Sequence, residues 1–554
     1  MKNFFCFMVL LLCVCSLAIA QEPEEEPAEE RKPLIPLTRP LFGEDDRLDL
    51  DFGVDFGVME KSFWNRETIR MDYLAGPFNL VADLSMSNDQ KYAPNRAMLP
   101  SGNLGGFYFF MNEGGLSYSK GPFSLRGGRF RVYDIVDSPY SLFVNSLGHS
   151  ANTVELDFET PRFIYQTQWI EATARNSVSS PAWNEYYRRK TGDPDKFLEP
   201  PDPNPPNDTS GLQDYGFPDR GVNYKIYGLK IKDWRIGFLD AAVYTGRSFD
   251  LEYLLNPIPQ YFIQYVKGTP GRPWTTASNE NNLIGLFWDI DKTDWSAYAQ
   301  VLVDDFSLGF LRFIYDGFSN NPWKAAWALG GRIQTPYGRF GLHHGGALKY
   351  TFEPIGTDDT GKYQNDSAAT AYGYTYYPET RYFDDESGGT PVSILIQDNM
   401  IGYKHGENNI AFQADYRNSF YNFLVNAELE LVLSGNNSPA NPWHDYDSRS
   451  NLYNDKEGSS LLDDGNLEKL LELRVQVSRR FLVSQRRLPL TLFTAIALGG
   501  RFNKLTLVPA ERDPYTAGNG ERTIDDDIWI WKASNTHEFI FRFSIGAKLT
   551  LGVL

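Results

Sequence analysis

Carboxylates set at every second position are the residues of this chain whose types and spacing first suggest chemistry. Asp49, Asp51 and Asp55 alternate with Leu48, Leu50, Phe52, Val54, Phe56 and Val58. A period of two places the acids on one face of a strand and the apolar side chains on the other. Glu428 and Glu430 stand in the same relation to the apolar face of 423–433, and Glu472, beside Arg474 and Gln476, to that of 471–477. Six acids facing inward from a ring of such strands would favour cations and hydrogen-bond to hydroxyl-rich ligands. They would equally serve as plain solvated wall residues, since any aqueous interior must be polar.

Nucleophile and metal chemistry find less support. The six histidines are His149, His343, His344, His405, His444 and His537. None lies in a G-x-S-x-G or H-E-x-x-H pattern. His343 and His344, as neighbours on a strand, point to opposite faces and cannot grip one metal ion together. The only cysteines, Cys6, Cys13 and Cys15, lie in the first twenty residues. Beyond them there is no thiol nucleophile, disulfide or cysteine metal site. The expectation is a protein that is not an enzyme and carries no cofactor or metal.

Aromatic side chains suggest a different chemistry. Trp443, Tyr446, Tyr374 and Tyr376 sit in segments rich in Asn and Asp. Stacking faces beside amides and carboxylates suit sugar rings, which present one apolar face and equatorial hydroxyls. Interfacial girdling and loop packing would account for the same residues.

The elements that must hold these groups are strands. Residues 539–553 alternate in the same way as 48–58, and similar runs occur at 423–433, 471–477 and 488–498. Shorter ones occur near 78–86, 107–111, 163–169, 234–244 and 295–303. Beyond residue 20 no apolar run is long enough for a membrane helix, and mean hydropathy is -0.41. A membrane protein without apolar helices must close its strands into a ring, because only closure satisfies every backbone group in lipid. An aromatic content of 15% fits girdles at two interfaces. The fold expected is an all-β, antiparallel transmembrane outer-membrane β-barrel of roughly 16–18 strands.

Its organisation follows from composition. Lys2, the apolar run 4–17 and Ala18-Ile19-Ala20 read as a signal peptide over residues 1–20, cleaved between Ala20 and Gln21. Residues 21–47 are an acidic, proline-rich periplasmic lead-in, and 48–554 form the barrel with long extracellular loops. With the C-terminus in the periplasm, 503–534 and 434–466 become external loops and 479–487 a short basic periplasmic turn. Residues 180–221, which carry Pro-Pro-Asp-Pro-Asn-Pro-Pro, form another external loop. The segment 351–409 cannot be assigned to a side. A net charge of -18 argues against nucleic-acid partners.

Residues 300–416 carry a resemblance. Val303-Asp304-Asp305-Phe306, Pro322-Trp323-Lys324, Ala328-Leu329-Gly330 and Gly341-Leu342-His343-His344 resemble the middle of the Wzi family of capsule-assembly proteins. So do Tyr374-Thr375-Tyr376-Tyr377 and Ile401-Gly402-Tyr403-Lys404-His405-Gly406. The resemblance implies an outer-membrane barrel that acts as a surface lectin, binding exported capsular polysaccharide without cutting it.

Two functions stay open. One is binding or assembly of surface polysaccharide; the other is a porin-like channel for small hydrophilic solutes with an acidic, cation-preferring lumen. Either reading places the chain in the outer membrane, with membrane lipid and the barrel-assembly machinery as partners.

Overall fold

The computed structural model describes residues 47–59, 62–89, 107–173, 219–245, 247–267, 280–304, 324–349, 351–352, 374–376, 381–382, 392–393, 396–436, 461–483, 488–511 and 524–552. The expected signal peptide and nearly all of the lead-in lie outside these residues.

Strict alternation makes each run a strand, and eighteen of them pair edge to edge. From the N-terminus come β1 (Arg47–Met59), β2 (Ser62–Ala75), β3 (Phe78–Ser87), β4 (Tyr108–Lys120), β5 (Phe123–Arg131) and β6 (Ser150–Glu159). Next are β7 (Phe163–Thr173), β8 (Arg220–Ile231), β9 (Trp234–Thr245), β10 (Glu280–Asp291), β11 (Trp295–Asp304), β12 (Ala325–Thr335) and β13 (Gly338–Ala347). The ring resumes at β16 (Asn409–Phe420), β17 (Phe423–Ser434), β18 (Glu468–Val483), β19 (Leu488–Phe502) and β22 (His537–Gly552). Two hairpins stand apart, β14 (Arg381–Tyr382) with β15 (Val392–Ser393), and β20 (Leu505–Glu511) with β21 (Ile524–Ala533).

Each barrel strand is antiparallel to its neighbours, and β1 pairs with both β2 and β22. Asp49 opposite Gly552 closes the ring. Closure leaves no free edge, which is the condition for a sheet to cross lipid.

Connection lengths orient the barrel. Eight connections of two to four residues share one end with both termini of the ring. At the other end eight of the nine are long, from 132–149 up to 348–408. Short turns face the periplasm and long loops the exterior in such barrels. The segment 351–409, all but Asn409 at the start of β16, therefore belongs to the longest extracellular connection. Phe78, Phe123, Phe163, Trp234 and Trp295 each begin a strand after a short turn and stand exposed on the outer wall. They form the aromatic girdle of the periplasmic interface.

Two expected loop boundaries shift. β18 continues to Val483, so the basic turn is confined to 484–487, and the external loop after β19 carries the β20–β21 hairpin.

Candidate luminal site

The barrel core is apolar and lies inside the ring. Residues 132–149, between β5 and β6, fold inward, and Val132, Ile135, Val136, Leu142, Phe143 and Val144 are fully buried there. They pack on inward-facing Tyr224, Ile226, Leu283 and Phe287. Close approach needs glycine on the wall: a Cβ on Gly345 would lie 2.8 Å from the Cβ of Tyr140, and one on Gly285 2.8 Å from the Phe143 ring. Tyr374, Tyr376, Ile401 and Tyr403, from the connection between β13 and β16, join the same core. Together these segments form a plug.

Polar groups fix its position. Asp134 accepts from Tyr224 Oη at 2.8 Å, from Gln300 Nε2 at 3.1 Å and from the backbone N–H groups of Phe143 and Val144. Burial pushes its carboxyl above the ordinary value, against the pull of those hydrogen bonds. Ser138 Oγ donates to Tyr298 Oη (2.7 Å), which lies 2.9 Å from His343 Nδ1, and His343 Nε2 lies 2.6 Å from Asp415. His343 thus faces inward, while His344 contacts Trp327 and Phe412 on the outer wall, the opposed pair expected from a strand.

Glu430 is the centre of the second anchor. Its Oε1 lies 2.8 Å from Lys404 Nζ and 2.9 Å from His405 Nε2, and it accepts from Tyr140 Oη at 3.2 Å. Arg474 Nη2 donates to Oε2 at 3.0 Å. Burial holds the His405 imidazole below its ordinary value, with the Glu430 hydrogen bond opposing and Lys404 and Arg474 adding to the effect.

All six acids expected on the inner face lie there, and each has a basic partner. Asp49 pairs with Arg47 (2.6 Å), Asp51 with Lys548 (2.6 Å), and Asp55 with Arg66 (Nε at 3.0 Å). Arg474 bonds Glu472 (2.7 Å) and lies 3.5 Å from Glu428; Arg542 lies 3.5 Å from Glu472. The net effect is a ladder of mixed charge, not an acidic surface. Arg501 with Glu468 stands near the extracellular end, followed by Arg542, Arg66 with Asp55, Arg70 with Asp83 and Glu113, and Lys548 with Asp51 near the periplasm. Sequence reasoning found the acids because they interrupt apolar runs. It placed Arg474 beside Glu472 but did not pair the acids with cations across strands, although Arg66, Arg70, Arg542 and Lys548 share their inward parity.

The ladder is wet. Arg66 is 44% exposed, and Arg542 and Lys548 are each 49% exposed, all on the inner face. Water therefore reaches the wall formed by β18, β19, β22, β1 and β2, opposite the densest part of the plug.

The aromatic expectation is corrected in part. Tyr374 is 2% exposed, with its hydroxyl donated to the Phe143 carbonyl (2.6 Å), and Tyr376 is 8% exposed. Their rings fill the plug core and present no free face to a sugar. Trp443 and Tyr446 lie outside the described residues.

No family model matches the chain, and no curated protein matches it. Solved structures with a similar fold include OprD of Pseudomonas aeruginosa, at 9% identity and TM-score 0.40, covering 92% of this chain and 96% of that one. Another is Wzi of Escherichia coli, described as a carbohydrate-binding β-barrel involved in group 1 capsule assembly. It has 9% identity and TM-score 0.44, covering 91% of this chain and 84% of that one. The class is set by the strand pairing: the chain is a closed outer-membrane β-barrel of eighteen strands.

Proposed function

We propose that the protein is a constricted, non-enzymatic channel for small hydrophilic solutes, in which the plug confines passage to the charged wall. The observation that carries this reading is the ladder of partly exposed Arg and Lys side chains, running between the two ends of the ring beside a dry plug. Paired charges of both signs would replace part of the hydration shell of a charged or zwitterionic solute along its path. Deep apolar packing on the other side limits the width, so the passage suits solutes of metabolite size and not polymers.

Planar-bilayer recording of the purified protein tests it. The expected result is a small, stable conductance reduced by permeating solutes. No conductance, together with release of surface polysaccharide by cells lacking the protein, would replace the channel with the polysaccharide-binding reading.

A further inference from the structure

The connection between β9 and β10 contradicts the ordinary behaviour of an extracellular loop. It carries two helices, α1 (Leu251–Leu255) and α2 (Gln260–Lys267), which pack on the outer wall of β7–β10. That wall's outward parity is fixed by Leu229, Ile231, Trp234, Ile236 and Leu286, all exposed. Asn223, Lys225 and Asp240 share this lipid-facing parity, and all three are fully buried. The helical segment is what buries them.

Wall side chains satisfy its backbone one by one. Lys225 Nζ donates to the Asn256 and Ile258 carbonyls (2.5 and 3.1 Å), Tyr227 Oη to Pro257 (3.0 Å), Thr167 Oγ1 to Leu254 (2.9 Å) and Trp169 Nε1 to Ser248 (2.6 Å). Asp240 accepts the Gln260 backbone N–H, and Gln260 Nε2 donates to the Asn223 and Asp240 carbonyls. Tyr227 stands four residues above the last of β8. At the usual strand rise and tilt, the Pro257 carbonyl lies roughly 10 Å above the periplasmic interface. Irregular backbone at that depth is tolerated only when the protein satisfies it, and here the barrel does so.

The opposite side of the segment is mostly apolar and uncovered: Leu251, Leu255, Ile258, Phe262 and Val266 are exposed, and the exposed Glu252 carboxylate is paired with Lys267 (3.1 Å). Beside it, a cleft of about 330 Å³ opens on the outer wall between Leu254 of α1 and Tyr118, Leu125, Leu156, Phe158 and Tyr165. These wall residues belong to the rungs nearest the periplasmic turns of β4–β7. The cleft therefore lies in the periplasmic half of the hydrocarbon zone and is continuous with the lipid-facing wall. We propose that Arg247–Lys267 is a lipid-embedded clasp, and that its cleft holds an acyl chain of a periplasmic-leaflet phospholipid. This inference stands whether or not the lumen conducts.

Two measurements test it on the full protein in phosphatidylethanolamine–phosphatidylglycerol vesicles or mild detergent. Nitroxide labels at Leu255→Cys and Phe262→Cys should collide with oxygen in preference to a water-soluble nickel chelate, as a label at Leu342→Cys on the bare wall does. Labels open to nickel would overturn the clasp. Native mass spectrometry should find phospholipid retained by the wild type and at least severalfold less by Leu156→Trp, which fills the cleft. Leu125→Phe serves the same purpose should Leu156→Trp fail to insert. No retained phospholipid in the wild type, equal retention by the filled variant, or retention of lipopolysaccharide instead would overturn the assignment.

Discussion

The Lys404 ammonium lies 2.8 Å from Glu430 Oε1, with both side chains almost wholly buried inside the barrel. Lys404 belongs to the plug and Glu430 to the wall, so this pair and its neighbours His405 and Tyr140 hold an extracellular connection at lumen depth. Removing one partner of a buried pair leaves an uncompensated charge, at a cost of about 3–5 kcal/mol. Glu430→Gln should release the plug: conductance rises and 396–408 becomes sensitive to protease. Heat-modifiable migration on gels should persist, because strand pairing is untouched. Unchanged conductance and cleavage would show that the anchor is dispensable.

Acid should loosen the same contact. His405 faces Glu430, Lys404, Arg474 and the rings of Tyr140 and Tyr403, and its docked pKa is below the ordinary 6.5. A depressed docked pKa means that the docking energy is fully present above about 6.5 and lost as pH falls below it. Asp134 acts oppositely: its docked value is raised, so its contribution is complete below the ordinary 3.8 and lost as pH rises through the docked value. Cleavage of 396–408 should accelerate between about pH 7 and pH 5, the range in which histidine titrates. His405→Asn should flatten that response. A response unchanged in His405→Asn would place the sensor elsewhere.

How much of this was legible in the sequence differed by element. β1 and β22 could be read directly because lipid outside and water inside impose an uninterrupted period of two. The plug could not, since Asp134-Ile135-Val136 through Asn145 buries its side chains by folding inward and follows neither strand nor helix periodicity. The clasp left a trace: Asp240 falls on the same face as Trp234, Ile236 and Phe238, where lipid alone would not tolerate it. A charge breaking the apolar face of an otherwise regular strand was the signal that another element covers it. The six acids share the inward parity of their strands, but their effect on the lumen depends on cations from neighbouring strands, a relation set by register.

On the channel reading, that register governs selectivity. Asp51 with Lys548 and Asp55 with Arg66 contribute nearly cancelling fields, so the wild-type channel should discriminate weakly between small cations and anions. Replacing Asp49, Asp51 and Asp55 with Asn leaves the cations unbalanced and should shift the reversal potential toward anion preference. Replacing Arg66 and Lys548 with Gln should shift it toward cations. Neither shift appearing in a conducting protein would place the permeation path away from this wall.

The aromatic residues separate plug packing from sugar binding. Tyr374 fills the core beside Phe352 and donates to the Phe143 carbonyl, so Tyr374→Ala creates a cavity and leaves that carbonyl unpaired. Large-to-small changes of buried aromatics cost about 3–5 kcal/mol. On the channel reading the expected outcome is higher conductance, with faster proteolysis of the plug. Tyr374→Phe keeps the ring and loses only the hydroxyl, so it should show a fraction of the defect. Trp443→Ala with Tyr446→Ala instead tests for sugar stacking at those two residues, and on the channel reading this double variant should leave both conductance and surface polysaccharide unchanged. Loss of cell-bound polysaccharide in that variant, with conductance intact, would assign glycan binding to those two residues and make the barrel a polysaccharide-binding protein as well as a channel.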